Sequence, residues 1–168
     1  MEDIMIKIFR EYNFIKTWEE NNKMFFINAD KNIVSYFILN FIDCTSISDE
    51  EELIRKELGK LEEEYVDSGN EKEGIKYSII RSFENKQEVS QLDKNTSVIY
   101  LVKFSEINIL SKYRNLIYSI EESPDYFKRY ILPYTEKQVI GLKNVLADYS
   151  DKNIVEILSQ LADVEENY

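Results

Sequence analysis

The stretch KMFFINADKNIVSYFILNFIDC, residues 23–44, predicts the centre of a β-sheet. Two runs rich in aromatic and β-branched residues, Met24–Ile27 and Ile33–Ile42, flank Asn28–Asn32, whose asparagine and aspartate residues are typical of turns. The second run is apolar at nearly every position, which is typical of a strand covered on both faces. We therefore expect a β-hairpin whose second strand lies inside the sheet.

Helical patterns lie on either side of this hairpin. Ahead of it, Ile4, Ile8 and Tyr12 recur at every fourth position and predict an amphipathic helix, followed by a turn or a short extended piece. After it, Ser48 and Glu51 have the spacing of a capping box that opens a second helix. The apolar stripe of that second helix is Ile54, Leu58, Leu61 and Tyr65.

Further strands and helices alternate in the second half of the chain. Thr96–Phe104 (TSVIYLVKF) predicts a buried strand, and Glu106–Glu122 predicts a helix. Phe127–Leu132 predicts a strand that ends at Pro133. The segment Ile75–Phe83 fits a strand or a helix, and we favour a strand.

The C-terminal part predicts a pair of helices. Thr135 and Gln138 form a second capping box, and Ser150 opens a last apolar repeat. The chain therefore predicts an α+β fold: a small mixed sheet, made of the hairpin and two or three further strands, packed with helices and followed by a helical C-terminal segment. We expect one domain over residues 1–168, with residues 135–168 as its C-terminal helical pair.

Composition excludes several classes of function. The 168 residues carry 32 acidic and 21 basic side chains, a net charge of −11 that repels a phosphate backbone. The chain has no histidine and one cysteine, Cys44, so we expect no His-dependent nucleophile and no ordinary zinc site, and we expect Cys44 to be a buried structural thiol. No glycine-rich phosphate motif is present. We expect no enzyme activity, no cofactor and no small-molecule substrate.

Hydropathy predicts a cytoplasmic protein without a membrane contact. The N-terminal residues are charged throughout, and nowhere do about 18 apolar residues run together.

The acidic run Asp49–Glu52 fits the first turn of a helix, where carboxylates favour the positive end of the dipole, better than a metal site. Glu84 and Lys86, with Asp67 upstream, leave open a Mg²⁺-dependent nuclease, which needs two acids and a lysine.

The stretch SPDYFKRYILPYTEKQ, Ser123–Gln138, holds both prolines and adjacent basic residues among aromatics. One interpretation is an edge strand whose charged side chains prevent unwanted pairing. The other is a cationic and aromatic patch that contacts an acidic or phosphate group of a partner. The candidate interface residues are Asp125, Tyr126, Phe127, Lys128, Arg129 and Tyr130.

Residues 96–138 resemble the middle components of bacterial ABC-three-component defence systems, the group that includes the Lamassu middle subunit. The family pattern is a strand with a tyrosine, a leucine and a phenylalanine, a helix ending in Ile-Glu, then an aspartate, an aromatic and a basic strand. The matching positions are Tyr100, Leu101, Phe104, Leu110, Tyr118, Ile120, Glu121, Asp125, Phe127, Lys128, Arg129 and Ile131.

The resemblance implies a non-catalytic adaptor. Its partners would be an SMC-like ABC ATPase that senses DNA and an effector subunit, often a nuclease, which the adaptor restrains until DNA is engaged. DNA would be contacted only through the complex. The net charge also fits an acidic inhibitor, either an antitoxin or a DNA mimic that occupies a basic cleft.

Overall fold

In the part of the chain that the computed structural model describes, five strands form one sheet, and their spatial order is the order along the chain. The structure describes residues 1–30, 32–66, 74–82, 92–106, 109–122 and 127–148. In chain order the elements are α1 (Glu2–Glu11), β1 (Phe14–Glu20), β2 (Lys23–Asn28), β3 (Tyr36–Asp43), α2 (Glu50–Val66), α3 (Ile75–Ser82), α4 (Leu92–Asn95), β4 (Thr96–Phe104), α5 (Ile109–Glu121), β5 (Lys128–Thr135) and α6 (Glu136–Asp148). The predicted α+β class, with a mixed sheet and a C-terminal helix, is confirmed.

Strand direction divides the sheet into two halves. The pairs β1–β2 and β2–β3 are antiparallel, whereas β3–β4 and β4–β5 are parallel. Parallel neighbours need crossover connections, which the helices α2 to α4 and α5 supply. The predicted hairpin is confirmed, and β3 is an inner strand as expected. β1 and β5 are the two edges of the sheet.

One face of the sheet packs against α1. Met5 and Phe9, one helical turn apart, form one buried cluster with apolar side chains of β2, β3 and β4. The Phe9 ring lies 4.6 Å from the ring of Phe26 and 5.4 Å from that of Phe37, measured between centroids. The helix predicted at the N-terminus is therefore confirmed, and it covers this face through aromatic contacts.

The opposite face packs against α2, α3 and α5. All four residues of the predicted α2 stripe are buried: Ile54, Leu58, Leu61 and Tyr65. Cys44 also lies in this core, and burial raises the pKa of its thiol to about 11, as expected for a structural cysteine. In the parts of the chain that the structure describes, no helix is long and apolar enough to cross a membrane.

Three local predictions are wrong. Ile75–Ser82 is a helix, not a strand: Ile75 and Ile79, four residues apart, are both buried. The α2 cap comes from Asp49, not Ser48, since the Asp49 carboxylate accepts a hydrogen bond from the Glu52 amide.

β5 also continues past Pro133 to Thr135. At an edge, the missing amide of a proline that points outward interrupts no hydrogen bond of the sheet. The capping box of Thr135 and Gln138 is confirmed, because the Thr135 amide donates to the Gln138 side chain at 2.8 Å. The C-terminal helix predicted from Ser150 lies outside the described residues.

Candidate partner interface on the fifth strand

The side chains of β5 alternate between the two faces of the sheet. Lys128, Tyr130 and Leu132 are exposed, whereas Arg129 and Ile131 are buried. The Lys128 ammonium lies 5.3 Å from the centroid of the Tyr130 ring, within the range of a cation–π contact. Two of the residues expected at an interface thus form a cationic and aromatic pair at the surface.

The inward side chains of this stretch hold the strand to α2. Arg129 makes an ion pair with Glu62, and its guanidinium pKa is lowered because the group is buried. The ring of Phe127 meets the Tyr65 ring edge to face at 4.7 Å. Arg129 and Phe127, both expected at an interface, therefore make their contacts inside the chain. Lys128 and Tyr130 are the candidates that face outward.

Asp125 and Tyr126 lie outside the described residues, as do Asp67, Glu84 and Lys86 of the nuclease hypothesis. Among the residues that the structure describes, no group of three or more acidic or cysteine side chains could hold a metal ion.

The exposed side of β5 continues onto β4. Ser97 is the neighbour of Lys128, and Ile99 is the neighbour of Tyr130. Both β4 residues are half-buried. We call Ser97, Ile99, Lys128, Tyr130 and Leu132 the open face. It belongs to the same side of the sheet as α1, since Ile99 packs at the border of the α1 core.

The outer edge of β5 is protected by side chains. The Ile131 amide points away from β4 and donates to the Glu121 carboxylate at 3.0 Å. Two positions further, Pro133 has no amide hydrogen, and the Thr135 amide donates to Gln138. Because backbone directions alternate along a strand, these three positions share the outer edge. The edge therefore offers few donors to an added strand.

A buried polar row crosses the face that packs against α2. Lys23, Asn40 and Tyr100 are neighbours on β2, β3 and β4, and each is buried. The Lys23 ammonium reaches Glu64 at 3.1 Å and the Asn22 side chain at 3.1 Å. Asn22 in turn donates to Asn40 at 3.0 Å.

Two atoms of this row have no hydrogen-bond partner in the described part of the chain: Asn40 Nδ2 and Tyr100 Oη. Burial, with the charge of Glu57 as a smaller contribution, raises the pKa of Tyr100. This row is not among the features predicted from the sequence. The signal was Asn40, a polar residue inside an apolar strand.

The family to which the chain belongs is shown by comparison with known protein families. The profile of the ABC-three component (ABC-3C) system Middle Component 1 matches residues 35–158. The chain belongs to this family.

The match confirms the resemblance seen in residues 96–138 and extends it to β3 and α2 on the N-terminal side. The open face and the protected edge both lie within the matched residues, whereas α1, β1 and β2 precede them. No curated protein and no solved structure gave a significant match. As a middle component, the chain is one subunit of a multi-component system and has protein partners.

Proposed function

We propose that this chain is a non-catalytic adaptor of an ABC-three-component defence system. It bridges an SMC-like ABC ATPase and an effector subunit, and it restrains the effector until the ATPase engages foreign DNA. The family match over residues 35–158 carries the proposal. Activation passes through a change in the partner that favours one bound state over another, not through chemistry in this chain.

The surface of the protein supports a role in binding proteins. Tyr130 and Leu132 are large side chains exposed on the sheet, and tyrosine is favoured at interfaces. The net charge of −11 disfavours direct contact with DNA, which fits a subunit that meets DNA through its partner.

The test uses the three proteins encoded together. We expect the ATPase and the effector to co-purify with this chain. When this chain is omitted, we expect the effector no longer to co-purify with the ATPase. The chain alone should neither bind ATP nor cut DNA. Nuclease activity of the isolated chain would contradict the proposal.

The same net charge favours a second candidate, an acidic inhibitor of a basic protein. Such an inhibitor binds mainly by charge, so its complex should dissociate with salt and be competed by DNA. A complex that persists at 0.5 M NaCl and ignores added DNA supports the adaptor.

A further inference from the structure

The open face lies on the side of the sheet that α1 partly covers. α1 covers the inner strands on this side and leaves the open face exposed. α1 packs against β2 and β3 and reaches Leu101 on β4. Leu101 is fully buried, but its neighbour Leu132 on β5 is 43% exposed. At the level of Leu132 the cover of this layer therefore stops between β4 and β5, and Tyr130, exposed to 38%, lies beyond it. Two residues further along β5, Tyr134 is half-buried and packs against the α1 core.

A partner can extend a sheet at its edge or cover its face. On β5 the edge is occupied at Ile131 by Glu121, has no donor at Pro133 and is occupied at Thr135 by Gln138. The side chains of the face, in contrast, are exposed. The protected edge and the exposed face together favour an element that lies on the face.

α1 indicates which kind of element fits this layer. It presents Met5 and Phe9, one turn apart, to an apolar surface of the same sheet. The row Lys128, Tyr130 and Leu132 spans about 13 Å at the rise of a strand, which corresponds to two to three turns of a helix. A short amphipathic helix therefore has the length to cover this row.

The charge of the open face restricts the partner further. Lys128 is its one ionisable group that is charged at neutral pH, and it lies against Tyr130 at one end of the row. In a chain with a net charge of −11, this end of the face is a local exception that attracts a carboxylate.

We propose that the open face binds an amphipathic helix of a partner subunit, which places apolar side chains on Ile99, Tyr130 and Leu132 and a carboxylate beside Lys128. The proposal rests on the adaptor function and names the surface by which one partner is held.

The experiment compares two variants of the open face with two matched controls in the full three-protein complex. Leu132→Asp places a charge under the helix and should weaken binding at least about 30-fold, the size of a hot-spot loss. Lys128→Glu should weaken it about 10-fold, as for a lost charge-assisted hydrogen bond, and should reduce its salt dependence.

The controls introduce the same residues, aspartate and glutamate, at exposed positions outside the open face. Tyr118→Asp replaces an exposed side chain of α5, and Lys7→Glu reverses an exposed charge of α1. Both should bind like the wild type. Thermal unfolding of each variant must match the wild type, because all four side chains are on the surface.

The element that binds is identified by a photo-crosslinker, p-benzoylphenylalanine, placed at position 132. Peptide mapping should find cross-links to positions three or four residues apart in one partner subunit, the spacing of a helix face. Cross-links to every second residue would indicate a strand and overturn the proposal. So would cross-links to residues 149–168 of this chain or to a second copy of it.

The two proposals fail in different ways. If the wild type assembles and Leu132→Asp and Lys128→Glu assemble equally well, the adaptor function stands and the docking surface is wrong. If the wild type itself binds neither subunit, both proposals are wrong.

Discussion

The two faces of the sheet differ in what they bury and in how far they are covered. The face toward α2 is closed by three helices, yet it encloses Lys23, Asn40 and Arg129. The core of the face toward α1 is made of apolar side chains, yet Lys128, Tyr130 and Leu132 of β5 are exposed beside it. Polar groups inside a closed layer fix how the helices sit, whereas an apolar surface without a cover is free to bind. We therefore interpret the first face as the structural core, and the second face is the one on which we propose that a partner binds.

The largest expected effect separates the two halves of the α1 face. Leu39 is fully buried under α1, and Leu132 lies on the open half. Leu39→Ala should lower the free energy of unfolding by about 2–5 kcal/mol, because it leaves a cavity. Leu132→Ala should change it by less than about 0.5 kcal/mol. Urea unfolding checks both, and equal losses would mean that the open half is covered in solution.

The next effect concerns the ion pair that ties β5 to α2. Glu62→Ala removes this partner of the buried Arg129 guanidinium and should lower the free energy of unfolding by about 3 kcal/mol. This value is at the lower end of the range for buried pairs because the Glu62 side chain is one-third exposed. The double variant Glu62→Leu with Arg129→Met should lose much less, because no charge remains buried. A double variant as unstable as Glu62→Ala would contradict the assignment of this loss to the buried charge of Arg129.

A smaller effect compares two buried tyrosines of the same core. Tyr100 Oη has no hydrogen-bond partner in the described residues, whereas Tyr65 donates to the Asp93 carboxylate at 3.1 Å. Tyr100→Phe should therefore be neutral or raise the free energy of unfolding by up to about 1 kcal/mol. Tyr65→Phe should lower it by about 1 kcal/mol. A clear loss in Tyr100→Phe would reveal a partner for that hydroxyl.

The smallest effect is a pH dependence at the start of α2. Tyr113 donates to the Glu50 carboxylate at 2.6 Å, which lowers the pKa of Glu50 below its ordinary value of 4.5. Because the folded pKa is lowered, this stabilisation is present above pH 4.5 and is lost as the pH falls through the folded value. Solvent screening keeps it below about 1 kcal/mol.

Glu50→Gln removes the charge and keeps the shape. The difference in urea midpoint between this variant and the wild type should be present at pH 7 and shrink below pH 4.5. Tyr113→Phe serves as the control, since it removes the donor that lowers the pKa and should flatten the same acid limb. A difference that is constant with pH would contradict the account.

The sequence predicted the elements whose pattern is local. β4 was predicted at its observed bounds, because nine residues that are mostly β-branched or aromatic fit no surface helix. The strand predicted over Ile75–Phe83 is wrong. Ile75 and Ile79 are four residues apart, and over so short a segment this spacing fits the period of a strand as well as that of a helix. The segment alone predicts that the strand ends at Pro133, because the position of β5 at an edge is a property of the sheet and not of the segment.

The candidate interface shows the same limit. Lys128 and Arg129 are adjacent and chemically alike, and the sequence gives no reason to separate them. The strand sends them to opposite faces, and Glu62 on α2 pairs with Arg129 inside the chain. Which of the two meets solvent therefore depends on a contact made far along the chain. The open face itself depends on how far α1 reaches across the sheet.

The order of the strands has a consequence for how the chain is made. Each strand pairs with the one synthesised just before it, so the sheet can grow at one edge as the polypeptide leaves the ribosome. At every stage before the last, the newest strand is an unpaired edge that attracts other chains. β5 arrives last, and its proline, with the side chains of Glu121 and Gln138, ends this growth. The sheet that the described residues form is then complete at five strands, and its last edge offers few donors to another chain.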